Sequence, residues 1–495
     1  MDTAFKIGYY KHRWYNKVNG IDSHHHSSVN GPSRAMSQLV PVIEKLQQIL
    51  PGRLVLDPEV LETYARDETI DLCALPACVV RARSAQDVAA VLKICNEYGV
   101  AVTPRGAGTG VTGGAVAVAG GIVLSMEQMN RILEIDEHNL IAVVEPGAIT
   151  ADIQKAALRH RLLYPPDPAS LDTCSIGGNV AENAGGPRAV KYGITGHYVT
   201  GLEFALADGS IITSGGKYVK NATGYNICGI LTGSEGTLAV VTKIYLRLVP
   251  APPNSIDVLM PFVDLGAAVA AVSALLHSGI VPATIEFMEQ DAITFVAAHL
   301  GQDMPCADAG AHLLLQVEGA SQQACHETLE AIAAACAIEE DSIFVAQTAA
   351  QQERLWKGRR SIREALRAES PIFLAEDCVV PRGEIAAFLA GLKEYLQTLA
   401  LRSVMFGHAG DGNVHINVFK DSLPAEQWQA MLSDLKREIY RRAIEHGGTI
   451  TGEHGIGCIR RDYLAMAKSP EEIALYRRIK QAFDPRGILN PGKIF

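Results

Sequence analysis

Apolar residues at helical spacing and short apolar runs divide the first half of the chain into small elements. Val40, Ile43, Leu46 and the pair Ile49 and Leu50 recur every three or four residues and predict an opening helix that Pro51-Gly52 stops. Ala77-Cys78-Val79-Val80 reads as a strand, and Ser84 is placed to cap a helix over 85–98 that Gly99 ends. Val100–Thr103 and Gly121–Ser125 read as strands flanking a glycine-rich segment. Ile132 to Val144 reads as two strands around Asp136-Glu137-His138, and Thr150 as the cap of a helix over 151–160. From Tyr164 to Gly186 no clear period appears. Small residues, amides and hydroxyls dominate there, and a long loop inside a compact domain is usually functional. A hairpin turning at Asp208-Gly209 follows within 201–212, and the residues after Gly233 run into a strand ending near Leu248.

The pattern changes at Pro250, Pro252 and Pro253. Beyond them amphipathic helices are expected at about 264–278, 322–336, 348–367, 383–398 and 424–446, and strands near 255–261, 312–317, 372–380, 402–407 and 413–419. In the last helix Leu435, Ile439 and Ala443 repeat every four residues and should face a core. The fold class expected is α+β, with a first domain over 36–250 and a second over 251–495, the latter an antiparallel sheet covered by helices. Residues 1–35, with His24-His25-His26, paired serines and Gly31-Pro32, read as a tag or disordered leader, and Met36 as the native start.

Composition narrows the function. A chain of 495 residues with 48% hydrophobic content is long enough for two or more domains with sizeable cores. A net charge of −10 counts against nucleic acid as a partner. No apolar run approaches the roughly 18 residues of a membrane span. The ten cysteines are scattered without a C-x-x-C pair, which fits free thiols in a reducing compartment better than disulfides or an iron–sulfur cluster of the chain's own. A cytoplasmic place is expected, with peripheral membrane association as the alternative. Cys174 and Cys458 read as small packed thiols, with redox activity as the alternative.

Two stretches carry chemistry. Pro104 to Gly114 holds five glycines in eleven residues after an apolar run. Glycine backbones approach a ligand closely, and successive free N–H groups form an anion-binding nest, so the loop suits a phosphate or pyrophosphate; the alternative is a plain glycine-rich connector. It is neither a Walker loop, for lack of G-x-x-x-x-G-K-[ST], nor a dinucleotide fingerprint, since it leads into a strand rather than a helix. The second stretch is Phe406 to Asn417, in which His408 and His415 stand seven residues apart across a glycine turn, followed by Gly452-Glu453-His454-Gly455. Two imidazoles and a carboxylate with room for a further ligand make an open metal site; histidines that are merely hydrogen-bonded in a core are the alternative. Arg359, Arg360 and Arg363 offer guanidinium groups for a carboxylate, or are solvated helix charges.

The strings P-R-G-A-G-T-G-V-T-G-G (104–114), C-S-I-G-G-N-V-A-E-N-A-G-G (174–186), K-Y-G (191–193) and G-S-E-G-T-L-A-V-V-T (233–242) resemble the FAD-binding domain of the vanillyl-alcohol oxidase/PCMH flavoprotein superfamily. G-H-A-G-D-G-N-V-H-I-N (407–417), T-G-E-H-G-I-G (451–457) and N-P-G-K (490–493) resemble the C-terminal domain of its glycolate oxidase / D-lactate dehydrogenase / D-2-hydroxyglutarate dehydrogenase branch. The resemblance covers nearly all of 36–495 and implies a two-subdomain PCMH-type domain holding extended FAD, with a cap over the isoalloxazine. It implies pyrophosphate contacts from Pro104, Arg105, Gly106, Ala107, Gly108, Thr109, Gly110, Gly113 and Gly114. Pro166, Asp167, Ser175, Gly178, Asn179, Asn183, Gly185 and Gly186 would line the dinucleotide. Gly236, Thr237, Val240 and Val241 would sit nearer the adenine or ribose, and Asn490 would be a further FAD contact. Some members bind FAD covalently through a histidine of the pyrophosphate loop; here that region offers Thr109 and Val111, so FAD is expected to be non-covalent.

The same likeness implies His408, His415 and Glu453 as ligands of a divalent metal, commonly zinc, with Asn417 as a substrate contact, His454 as the base and Arg359, in an L-W-x-x-R motif, as the carboxylate anchor. The implied reaction is oxidation of a D-2-hydroxy acid to the 2-oxo acid, with metal-assisted substrate binding, proton removal by His454 and hydride transfer to flavin N5. Members acting on dicarboxylates carry a lysine downstream, and residues 372–377 have none, which favours D-lactate or glycolate unless Arg363 supplies the second cation. The alternatives are a glycolate dehydrogenase working with partner subunits, a D-2-hydroxyglutarate dehydrogenase, and a flavin electron-transfer subunit without its own turnover. The electron acceptor stays open among an electron-transferring flavoprotein, a quinone and an iron–sulfur subunit, and a homodimer is a candidate assembly.

Overall fold

A computed structural model of the chain describes residues 32–495. The expected leader falls outside the described residues up to Gly31; a helix then runs over Pro32–Ile49. Three sheets follow (Leu162–Leu163 also pairs with Val249–Pro250). The first orders Leu54–Val55, Cys78–Arg81, Ile122–Ser125 and Val102–Arg105, its last three strands parallel. Strands buried on both faces read as short continuous apolar runs, which is why this sheet was legible. Helix Ala85–Tyr98 covers it, capped by Ser84 Oγ, which accepts from Asp87 N at 3.1 Å, and ended by Gly99 at φ 68°. Its core joins Val88, Val91 and Leu92 to Ile122, Leu124 and, from the far end of the chain, Ile488 and Leu489.

The second sheet is antiparallel, in the order Ile132–Asp136, Ile141–Val144, Val240–Arg247, Val199–Ala205, Ile211–Gly215. The hairpin turns at Gly209, φ 86°. Two expectations beside it need correction. Thr150 does not cap the helix; it begins it, over Thr150–Leu158, with no side-chain cap. The free N–H groups of Thr150 and Ala151 are taken by the carbonyls of Cys174 and Leu171, so the Thr150 hydroxyl is released to accept from Asn179 Nδ2 at 2.7 Å. The aperiodic stretch 164–186 contains a helix, Ile176–Glu182, which Asn183 ends in the left-handed region at φ 56°. Gly177 and Gly178 hid its period. A Cβ on Gly177 would sit 2.7 Å from Pro146, so the helix packs where only glycine fits.

The third sheet has seven antiparallel strands, in the order Phe344–Ala346, Asn254–Phe262, Ala311–Gly319, Thr284–Glu289, Ser403–His408, Asn413–Phe419, Phe373–Val379. Both faces are covered. Leu313, Leu315, Ile285 and Phe287 enter one core with helices Leu265–His277, Ile385–Thr398 and Ala425–Glu445, where Leu435, Ile439 and Ala443 are buried as expected. Leu314, Phe373, Val404 and Phe419 enter the other core with helices Gln290–Leu300, Ala349–Arg360 and Ile362–Glu369. The single helix expected over 348–367 is thus two, broken at Ser361. Strands Thr284–Glu289 and Phe344–Ala346 and helices Gln290–Leu300 and Pro470–Phe483 were not anticipated.

The chain's last residues return to the first sheet. Val102 N donates to Ile488 O and Asn490 N to Val102 O, each at 2.8 Å, and Leu489 is fully buried. Leu489→Ala should therefore cost about 2–5 kcal/mol, whereas Leu475→Ala, at a half-exposed site, should stay within about 0.5 kcal/mol; urea denaturation midpoints of the two variants check this.

Candidate active site

A cleft opens between the first two sheets and reaches under the seven-stranded sheet. Its wall is built from Pro104 to Val111, Gly114, Ser175, Gly178, Asn179, Gly185, Gly236, Val240 and Val241, and at its inner end Arg363, Glu453 and His454 line it. Ala107 N donates to Ser175 Oγ at 3.2 Å, and a Cβ on Gly106 would collide with that hydroxyl. The remaining residues expected around the cofactor shape the wall from behind. Gly113 packs on Cys458 and Leu72, and Gly186 on the Asp167 carbonyl. Pro166 O accepts from Gln154 Nε2 at 3.0 Å. Asp167 takes the Arg188 amide at 3.1 Å, and burial pushes its carboxyl up to about 6. Asn183 Oδ1 accepts from Gly196 N at 2.8 Å, and the Thr237 hydroxyl donates to Ser234 O at 2.7 Å. Asn490 Nδ2 donates to Gly114 O at 2.9 Å and to Glu235 O at 2.8 Å, tying two loops of the cleft together.

The histidines converge as the sequence suggested. His408 Nε2 stands 3.4 Å and His415 Nε2 3.6 Å from Glu453 Oε1. His415 and His454 stack at 5.6 Å between ring centroids. The register explains the convergence: His415 lies between Phe406 and Asp377 on neighbouring strands, and alternation places Asn417 and Phe419 on the same face. One end of that face is therefore the hydrophobic core and the other end is the polar site. Asn417 is buried there, donating to Val404 O at 3.3 Å.

Four acidic residues were missed by sequence reasoning. Glu286, fully buried, sits opposite His408 and accepts from its Nδ1 at 2.6 Å while pairing with Arg359 Nη2 at 2.7 Å. Arg359 lies over the Phe406 ring, and its Nε has no partner. Asp377 is also fully buried; its Oδ2 accepts from the Thr451 hydroxyl at 2.8 Å and from the amides of Gly452, Glu453 and His454 at 2.9–3.1 Å. Glu235 accepts from Ile456 N and Gly457 N, and Glu182 lies beside it. A carboxylate inside an apolar strand was the available signal for Glu286 and Asp377. Arg363 reaches across from the second domain to donate to Glu68 O at 3.3 Å.

Charges sort accordingly. Burial opposes the Glu453 carboxylate, yet His408, then His415 and His454, hold it down at about 2. Burial, with repulsion from His408 and His454, lowers the His415 imidazole to about 3, leaving it neutral as a ligand must be. Burial also opposes charge on His408, but Glu286 and Glu453 hold it well above its ordinary value, a cation among carboxylates.

The residues fit both groups that the sequence implied. Tetrahedral zinc with ligand bonds of about 2.0–2.1 Å separates neighbouring donors by about 3.4 Å, close to the spacing of His408, His415 and Glu453, whose donor atoms all lie within 4.8 Å of one another. The glycine-walled cleft, with a buried carboxyl oxygen of Glu182 lacking any partner, suits a long polar ligand. The ten cysteines are unpaired, and among the described residues no helix is long and apolar enough to cross a membrane.

Comparison with known proteins agrees with this geometry. Residues 76–215 match the FAD binding domain family and residues 251–494 the FAD linked oxidases, C-terminal domain. Solved structures share the fold: p-cresol methylhydroxylase with substrate bound superposes with a TM-score of 0.75 at 18% identity, over 92% of this chain and 97% of that one. The fold and cleft thus define a PCMH-type FAD-dependent oxidoreductase. Relatives narrow the class. The glycolate oxidase subunit GlcD of Bacillus subtilis (strain 168) is 40% identical over 445 residues, covering 90% of this chain and 92% of the relative. D-lactate dehydrogenase of Anaerostipes hadrus is 37% identical over 92% of this chain and 97% of the relative. D-2-hydroxyglutarate dehydrogenase of Stutzerimonas stutzeri is 32% identical over 92% and 98%. The chain belongs to the FAD-linked oxidase family, in the branch of GlcD, D-lactate dehydrogenase and D-2-hydroxyglutarate dehydrogenase.

Removing the carboxylate that gathers the 452–454 amides leaves buried donors without partners. Asp377→Ala should destabilise the second domain by about 3–5 kcal/mol, read as a loss of thermal stability in the purified protein.

Proposed function

We propose that the enzyme oxidises a small D-2-hydroxy acid, D-lactate in the first instance, to its 2-oxo acid. The observation that carries this is the convergence of His408, His415 and Glu453 with His454 and the buried Arg359, at the inner end of a cleft that suits FAD. Bound FAD, held non-covalently, would supply the two-electron acceptor, and a divalent metal, zinc in the first instance, would supply Lewis acidity towards the substrate hydroxyl. His408 Nε2, His415 Nε2 and Glu453 Oε1 are the donors that would hold that metal.

The residues' own roles follow from their surroundings. Arg359 pairs with Glu286 through Nη2, so its remaining Nη group could meet a substrate carboxylate without releasing the guanidinium from its buried anchor. Asn417 supplies a further polar contact on the same face. His454 accepts the hydroxyl proton. Its Nδ1 lies 3.7 Å from Asp377 Oδ2, so the cation formed would stand beside a buried anion. Burial opposes the Asp377 charge, but His454, His415 and Arg460 hold that carboxyl well below its ordinary range.

The absence of a lysine over 372–377 favours a small acid, and Leu374 there turns into the opposite core. A second reading, a dicarboxylate such as D-2-hydroxyglutarate, has one observation in its favour: the Arg363 guanidinium at the cleft wall. Glycolate, with partner subunits, is supported by the name of the GlcD relative.

Anaerobic addition of each acid to the FAD-loaded protein tests the reading. D-Lactate should bleach the flavin bands fastest, and a chelator should slow bleaching until zinc is restored. His454→Ala should stay yellow while bleaching about 10²–10⁴-fold more slowly. Yellow protein that bleaches with none of the three acids, with zinc supplied, would sink the proposal.

A further inference from the structure

The cleft holds a buried acid that the proposed reaction does not use. Glu182 ends the helix Ile176–Glu182 and lines the cleft; its Oε2 is inaccessible and has no hydrogen-bond partner. A Cβ on Gly114 would stand 3.0 Å from Glu182 Oε1, and one on Gly455 would stand 2.5 Å from Glu182 Oε2 and 2.9 Å from Glu235 Oε1. Two carboxyls thus crowd one glycine of the loop that carries His454. They are not equivalent. Burial raises the Glu235 carboxyl, but it accepts the amides of Ile456 at 2.8 Å and Gly457 at 2.7 Å, which oppose that rise, so of the two it keeps a charge more readily. Glu182 receives no such donor and faces Glu235 and Asp67, with Arg460 as the nearby counter-charge. Burial, then the Glu235 charge, pushes its carboxyl well above the ordinary range, which favours the protonated form, a hydrogen-bond donor. Oε2 is packed against Gly455 beside Glu235, whereas Oε1, next to Gly114 of the cleft wall, also lacks a protein partner among the described residues and is the oxygen that a ligand acceptor in the cleft can meet.

We propose that Glu182 donates a hydrogen bond to the isoalloxazine ring of bound FAD and thereby raises the flavin's reduction potential. The family match assigns FAD to this domain; the placement at the ring, rather than the ribityl chain or pyrophosphate, rests on the reading above, which sets hydride transfer beside His454, one residue from Gly455. Oxidised isoalloxazine presents carbonyl oxygens and ring nitrogens as acceptors, and a neutral donor there favours the reduced ring, which gathers negative charge. A second carboxylate charge at that place would do the opposite.

The test uses the FAD-loaded protein and needs no substrate. FAD affinity is read by fluorescence quenching, the visible bands by absorbance, and the midpoint potential by enzymatic reduction against a reference dye. Glu182→Ala should weaken FAD about tenfold, for the loss of roughly 1.4 kcal/mol, shift the flavin bands and lower the potential. Glu182→Gln, whose amide still donates, should keep the potential close to wild type. A potential that rises in Glu182→Gln would show that the native group is an anion and overturn the proposal. So would a Glu182→Ala protein with unchanged bands and potential, whether or not FAD affinity falls, since a fall alone would put Glu182 on another part of the cofactor. If Glu182→Ala does not fold, Glu182→Gln decides alone. Because these readouts are independent of the hydroxy acid and the metal, a failure to bleach with any acid would count against the proposed reaction and leave this measurement intact.

Discussion

The catalytic end of this enzyme hangs on the loop 451–458, which is held between two buried carboxylates, one from each domain. Asp377 of the seven-stranded sheet gathers the Thr451 hydroxyl and three successive amides; Glu235 of the flavin domain takes the next two free amides, at Ile456 and Gly457. Charge-assisted bonds of this kind are roughly twice as strong as neutral ones and are shortest where water is excluded. The chain can approach so closely only because of its glycines: a Cβ on Gly452 would collide with Asn413 Nδ2, and Gly455 sits at φ 80° against Glu182 and Glu235. Glu453 and His454 lie between the two anchors, so their side chains are aimed by backbone that neither domain orders alone. Further bonds seal the junction, from Cys458 N to Thr112 O and from the Thr112 hydroxyl to His454 O.

Around that loop buried acids and bases face one another at close range. Glu286, Glu453 and Asp377 face Arg359 and three imidazoles, two of which carry no proton to spare if they are to serve as ligand and base. Burying three carboxylates is costly even beside the guanidinium groups of Arg359 and Arg460, and Glu286 and Glu453 push His408 towards its charged form. Glu286 has two tasks: it fixes the His408 ring and holds the Arg359 guanidinium, so one side chain sets the placement of both.

Much of this was legible in the sequence, and the reasons for the rest are specific. The glycine-rich loop, the two histidines and the Glu453-His454 pair stand out because close backbone approach and ligand chemistry leave few residue choices. Helix 85–98 was legible because its cap, its period and its terminating glycine all agree. Glu286 was not, since its meaning depends on pairing with His408, 122 residues away, in a strand too short and too apolar to be told from a buried helix. Asp377 was noticed only as a place without lysine; its partners are backbone amides, which leave no trace in side-chain identity. Thr150 was misread because loop carbonyls, not its own hydroxyl, satisfy the helix start. The helix Ile176–Glu182 was hidden because packing against Pro146 demands glycine at 177, which with Gly178 erases its period.

The C-terminal residues add a constraint on how the site can form. Val102 lacks its backbone partners until residues 488–490 arrive, and Asn490 Nδ2 then ties Gly114 O to Glu235 O. The phosphate-type loop and the carboxylate that anchors the catalytic loop are thus clasped by the segment that follows the whole second domain. Contacts spanning more than 370 residues bear a large loop-closure entropy, so they close late. The flavin domain is therefore incomplete without the second domain and the tail behind it: the backbone bridge from Leu489 to Val102, the amides bonded to Glu235 and the glycine that packs on Glu182 all come from beyond residue 450. The glycine-walled cleft and the histidine cluster are in this sense one structure, completed by the same C-terminal segment.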